Sequence, residues 1–191
     1  IHKQRRLDDL AGGLLLSLAC YPGFKVEHVR GHHVHVGTPL DNTTARLGQN
    51  LYAYLGAAFT LNLPKAWSFE AARLRALGLP AWHWRNEVLA WHALVAAIAL
   101  ALGLLWGAAA VGFFVAQAAF GVALLETVNY IEHYGLERER RADGGYAPVG
   151  PEHSWNSNAR LTNLLLINLQ RHADHHRYAR RPYAMLRDLP E

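Results

Sequence analysis

Two long apolar runs dominate the middle of the chain. Residues 87–106, EVLAWHALVAAIALALGLLW, offer no polar side to a helix, and residues 108–131, AAAVGFFVAQAAFGVALLETVNYI, repeat the pattern. At about 1.5 Å per residue the first run would reach roughly 30 Å as a helix, the thickness of a hydrocarbon core. Gly103, Gly107 and Gly112 lie near the junction and suit a short turn. The pattern predicts a membrane hairpin, with a buried helical hairpin in a soluble protein as the alternative. Residues 10–24, LAGGLLLSLACYPGF, are also apolar but short and broken by Gly and Pro, which suits an interfacial or re-entrant helix. Residues 66–77, AWSFEAARLRAL, read as an amphipathic surface helix. Residues 137–160 are polar, carry Gly144-Gly145, Pro148 and Pro151, and read as a loop. No strand pattern or internal repeat stands out. The expected fold class is therefore all-α, a polytopic membrane helical bundle. It would form one domain over residues 1–191, with a hairpin at about 87–131 and cytoplasmic segments 1–86 and 132–191.

Charge places that hairpin. The chain has 191 residues, 51% hydrophobic and 18% charged, with a formal charge of +4. A basic balance would suit nucleic acid, but all 19 Lys and Arg lie in residues 1–85 or 138–191. Such a gap fits a membrane protein better than a nucleic-acid binder, so no nucleic-acid partner is expected. The turn between the runs has no Lys or Arg and both outer flanks are rich in them, which puts the turn outside and the flanks in the cytoplasm. Trp82, Trp84 and Trp91 gather at one end of the first run, as an interfacial aromatic belt would. Cys20 is the only cysteine, which excludes an internal disulfide and a cysteine-based zinc site. The chain starts at Ile1 and stops at Leu189-Pro190-Glu191, and is expected to be a fragment of something longer.

The candidate chemistry is in the 12 histidines. His28, His32 and His33 form H-x-x-x-H-H, His172, His175 and His176 form H-x-x-H-H, and His133 stands at the end of the second apolar run. On a helix the second triplet would span about 100° of arc, while His28 and His32 would be about 40° apart and His33 about 140° from His28. Triplets of this kind present several imidazole nitrogens to one centre, as first-row metals require. Two crossings separate His33 from His133, an even number, so every candidate ligand returns to one membrane face. Glu27, Asp41, Glu126, Glu132 and Asp174 lie near the clusters in sequence and are candidates to hold the ligands' other N–H groups. Arg171 and Arg177 bracket the second triplet and would disfavour imidazolium, keeping the rings in their metal-binding form. His35, His83, His92 and His153 lack cluster geometry and are read as structural. No Ser or Cys suits the nucleophile of a triad, so all roles fall to metal ligands and the groups that orient them.

These residues resemble the integral-membrane alkane 1-monooxygenases of bacteria, within a wider membrane di-iron superfamily that includes desaturases and fatty-acid hydroxylases. The histidine boxes indicate the superfamily. The narrower likeness rests on NYIEHYG at Asn129–Gly135, SWNSN at Ser154–Asn158 and LQRHADHH at Leu169–His176. By this resemblance, IHK at the start would be the tail of a further box, with His2 as its second histidine. Eight of nine expected iron ligands would then be present: His2, His28, His32, His33, His133, His172, His175 and His176. The resemblance implies two non-haem irons, O2 as co-substrate, and terminal hydroxylation of medium-chain n-alkanes to 1-alkanols. It also implies a multi-pass protein of the bacterial inner membrane with its site on the cytoplasmic side. Electrons would come from rubredoxin, fed by a reductase, and Arg138, Arg140, Arg141, Arg171, Arg177, Arg180 and Arg181 would offer it a basic docking face. Attack on a strong C–H bond does need a redox metal, and zinc is redox-inert. Rival readings are a related membrane di-iron hydroxylase or desaturase acting on alkylbenzenes or fatty acyl chains, a membrane haem electron-transfer protein, and a metal-storage or transport protein.

Overall fold

A computed structural model describes residues 6–189. His2 lies outside the described residues. Among them the chain is helical, with no strand beyond an isolated antiparallel bridge between Arg140 and Tyr146. In chain order the helices are α1 (Arg6–Leu18), α2 (Gly23–Glu27), a π turn (His28–His32), α3 (His33–His35), α4 (Leu51–Ala76), α5 (Glu87–Trp106), α6 (Ala108–His133), α7 (Arg160–Leu165) and α8 (His172–Arg177). Short 3-10 turns occupy Pro151–His153 and Tyr183–Met185.

The two apolar runs become α5 and α6. Asn86 starts α5: its side chain accepts the Leu89 N–H at 3.0 Å and donates to the Ala81 carbonyl at 2.7 Å. Gly107 ends it with a φ of +79° and returns its N–H to the Gly103 carbonyl. Both helices are long and apolar enough to cross a membrane. A hairpin buried in a soluble core would cover these faces, yet only 6% of the most apolar stretch of α5 and 17% of that of α6 are buried. Trp82 and Trp84 are exposed, as a belt requires, but Trp91 is packed inward.

Two sequence expectations change. The helix expected over residues 66–77 is the second half of the much longer α4, with one stripe buried and Ser68, Ala72 and Arg75 exposed, as an amphipathic surface helix requires. Tyr54, Ala58, Asn62, Ala66, Glu70 and Leu74 are all buried along one stripe of α4, each four residues, and so about 40° around the helix, from the next. Asn62 and Glu70 within that stripe mask its periodicity in hydropathy, and Pro64 sits inside the helix without ending it. The apolar run at residues 10–24 also divides. α1 stops at Leu18, the chain turns through Cys20 at a φ of +51°, and α2 begins after Pro22.

The chain separates into two compact units, residues 6–31 with 59–125 and residues 32–58 with 126–189. In the first, α1 lies against α5 so closely that a Cβ on Gly13 would fall 2.2 Å from the Trp91 ring. Val26, Ala66 and Val88 form a small core there, flanked by Trp67 and Phe69. Beside it the buried Glu70 carboxylate is gripped by Arg30, by Arg73 Nε at 2.9 Å and by the Glu87 N–H at 2.9 Å. Burial alone would raise its pKa, but these partners outweigh it and hold the carboxyl at about 2. In the second unit, Ala45, Tyr54 and Ala58 form a core with Leu51, Leu55, Tyr130 and Tyr134 packed against it. Gly135, at a φ of +71°, turns the chain out of α6 and donates its N–H to the Ala45 carbonyl at 2.8 Å.

Candidate metal centre

Four buried histidines converge within the second unit. His32 comes from the π turn, His133 from the last turn of α6, and His172 and His176 from successive turns of α8. Each offers a ring nitrogen, and these nitrogens all lie within 4.8 Å of one another. The Nε2 atoms make a chain of close approaches: His32 to His176 at 3.1 Å, His176 to His172 at 2.9 Å, and His172 to His133 at 3.0 Å.

The outer nitrogens show what lies on the inner ones. His32 Nδ1 is 2.9 Å from Asp41 Oδ2, so it carries the proton and leaves Nε2 a bare lone pair. His133 Nδ1 is 3.2 Å from the His153 carbonyl and must likewise donate. His172 Nδ1 faces Glu132 Oε2 at 3.3 Å, out of line for a good hydrogen bond but again opposite an acceptor. A neutral imidazole nitrogen holds either a proton or a lone pair. With His172 protonated on Nδ1, toward Glu132, it and His133 would point lone pair at lone pair across 3.0 Å. Protonation does not relieve this. Burial, and then the neighbouring imidazoles, push His172 and His176 well below the ordinary histidine range. A cation at the centre would satisfy all four. Donor separations of 2.9–3.1 Å also fit a metal, because bonds of about 2.1 Å at right angles leave neighbouring donors about 3.0 Å apart.

The surrounding groups fix the rings. Asp41 accepts from the Thr44 hydroxyl at 2.6 Å and the Thr43 N–H at 3.1 Å as well as from His32. Burial would raise its pKa, yet His32 and these hydrogen bonds bring it down to about 2, so it is ionised at any working pH. His33 and His175 lie beside this group, their rings 4.9 Å apart, and His33 is also 4.9 Å from the His176 ring. His28 belongs to the first unit, where it is buried and stacked on Phe24 at 4.8 Å. A π turn, His28–His32, begins at this residue.

The acidic candidates divide by partner. Asp41 and Glu132 face histidines. Glu126 accepts from the Tyr54 hydroxyl at 3.0 Å and the Asn129 amide at 3.3 Å. Asp174 is held by Arg181 at 2.5 Å and by the Arg187 N–H at 3.1 Å. Glu27 is buried in the first unit, close to Gly31. Sequence reasoning missed the His153 carbonyl and Tyr54. A backbone acceptor leaves no signature in residue type, and Tyr54 sits far in sequence from the acid it holds.

The arginines divide too. Arg171 bonds Asp188 and the Leu186 carbonyl, Arg181 bonds Asp174, and Arg138 bonds the carbonyls of Ala147, Val34 and Val36. Arg140, Arg141, Arg177 and Arg180 are exposed. The low pKa of the α8 histidines follows from burial and from one another, not from the bracketing Arg171 and Arg177 that the sequence suggested.

Comparison with known proteins bears on this site. A family model described as fatty acid desaturase matches residues 1–190. Alkane 1-monooxygenase 2 of Pseudomonas aeruginosa is 54% identical over 98% of this chain and 50% of its own length. Alkane 1-monooxygenase 2 of Alcanivorax borkumensis is 50% identical over 100% of this chain and 50% of its own. The xylene/toluene monooxygenase hydroxylase component of Pseudomonas putida is 28% identical over 92% of this chain and 46% of its own. The chain thus spans about half the length of the curated relatives it matches.

Proposed function

Because the chain belongs to the fatty acid desaturase family, we propose that the whole protein hydroxylates medium-chain n-alkanes at the terminal carbon, using O2 and two histidine-bound irons. The observation that carries this reading is the set of four buried Nε2 atoms linked at 2.9–3.1 Å, with the outer nitrogens of His32 and His133 committed to acceptors. The 50–54% identity to alkane 1-monooxygenases supports the substrate class.

Bound iron would supply the O2 activation that attack on a strong C–H bond requires and that no side chain provides. The residues of this chain do the rest. His32, His133, His172 and His176 would hold one iron. His33 and His175 would serve the other, and the sequence boxes assign His28 and His2 to the same ligand set. Asp41 and the His153 carbonyl hold the protons of His32 and His133 on the outer nitrogens, which aims the lone pairs inward. Burial of all four rings keeps water and stray protons away. The apolar faces of α5 and α6 suit a bilayer, where an alkane is dissolved. The site would stand on the cytoplasmic side of the inner membrane. Reduced rubredoxin, supplied by its reductase, would dock on the exposed Arg140, Arg141, Arg177 and Arg180, and turnover with it should slow as salt rises.

The test is iron analysis of the full-length protein with an octane hydroxylation assay. His133→Ala should lose iron and 1-octanol together; retention of both would remove that residue from the centre. The 28% identity to a xylene/toluene monooxygenase component favours a second reading, an alkylbenzene hydroxylase. Product analysis with octane, an alkylbenzene and a fatty acyl chain separates the two.

A further inference from the structure

The segment that runs from α7 to the residues before α8 is inside out for a protein surface in water. Its polar residue Asn163 is buried, its side-chain amide donating to the Ser157 carbonyl at 2.8 Å and the Ala159 carbonyl at 3.0 Å. Its apolar residues face outward instead: Leu161, Leu164, Leu165, Leu166 and Ile167 are all exposed, Leu164 by 78%. Ile167 and Asn168 hold positive φ, 54° and 59°, which ends the helix in a tight turn. Asn168 then donates to the carbonyl of Tyr183, itself exposed, at 3.3 Å. A continuous apolar patch on a soluble surface marks a binding face.

Its position indicates what covers it. Trp155, also exposed, donates its indole N–H to the Tyr134 carbonyl at 3.0 Å and its backbone N–H to the Glu132 carbonyl at 2.8 Å. It is therefore clamped to the end of the apolar helix α6, where an interfacial tryptophan belongs. α7 begins five residues later, tied back to Ser157 through Asn163. The exposed Arg160 at its start suits phosphate headgroups. From this juxtaposition we infer that residues 161–167 lie in the plane of the bilayer surface and bury their leucines among lipid chains beneath the headgroups. The segment then fixes α8, and the histidines on it, at a set depth beside the membrane. This rests on the proposed membrane crossing of α5 and α6.

The experiment uses the full-length protein in bilayer nanodiscs, with its native cysteines, Cys20 among them, changed to alanine. Spin labels are placed singly at Leu164→Cys and Leu165→Cys, with Leu104→Cys on α5 as the reference for a crossing helix. Each label is tested for collision with O2, which concentrates in lipid, and with a water-soluble nickel chelate. The expected result is O2 access above nickel access at all three positions. Nickel access above O2 access at 164 and 165, with 104 in lipid, would show a water-facing segment and overturn the inference alone. Low access to both reagents there would show a covering protein surface and overturn it equally. Nickel access at 104 would overturn the membrane reading and this inference with it. Iron content of each labelled protein checks that the fold has survived.

Discussion

At the scale of single residues, the account turns on which nitrogen of each ring carries its proton. Asp41 sets that choice for His32. Asp41→Ala should therefore weaken iron binding by about 10- to 100-fold, the usual cost of losing an orienting partner. Competition with a chelator measures it, and His83→Ala, outside the cluster, should leave the affinity unchanged. The histidine cluster was legible in the sequence because its spacing is a property of residue type and order. Asp41 was legible as a nearby acid. The His153 carbonyl was not, because any residue at that position supplies the same backbone oxygen.

Glu70 gives a prediction away from the metal. Its folded carboxyl titrates at about 2, below an unfolded Glu at about 4.3. A depressed carboxyl adds stability above the unfolded pKa and loses it as pH falls through the folded one. Glu70→Gln should thus destabilise the protein at neutral pH by at most about 3 kcal/mol, less what solvent near Arg30 and Arg73 screens away. The gap between variant and parent should close between about pH 4 and pH 2 in denaturant titrations.

At the scale of elements, the apolar hairpin was legible to within a few residues because nothing polar interrupts it. Only the second half of α4 was legible, because the buried stripe of the whole helix mixes Asn62 and Glu70 with alanine, tyrosine and leucine. A buried carboxylate looks like a solvated face until its arginine partners are seen. The place of Gly13 was hidden for a related reason: it is defined by the Trp91 ring that fills the space where its side chain would be. Gly13→Leu should push α1 off α5 and cost about 1–3 kcal/mol. Thermal melting of the detergent-solubilised protein would detect this, and an unchanged transition would mean that α1 does not depend on the contact.

At the scale of the whole molecule, sequence and structure meet in the hairpin. It has no positive charge in its turn and carries apolar faces that the described residues leave uncovered. The positive-inside rule then predicts its direction. Alkaline phosphatase, active only outside the cytoplasm, should be active when fused after Gly107. A fluorescent protein that matures only in the cytoplasm should glow when fused after Gly144. The reverse pattern would put the histidines on the wrong face. The family was legible because NYIEHYG and the histidine boxes are local strings, and the two compact units were not, because they are assembled from segments distant in the chain.

The central claim is that imidazoles from the π turn, α6 and α8 share a metal. X-ray absorption at the iron edge of the purified full-length protein tests it most directly. The account predicts close to two irons per chain, a first shell dominated by nitrogen and the outer-shell scattering of imidazole rings. Iron in a porphyrin or among sulfur ligands, or a protein that binds no iron when it is supplied, would contradict it.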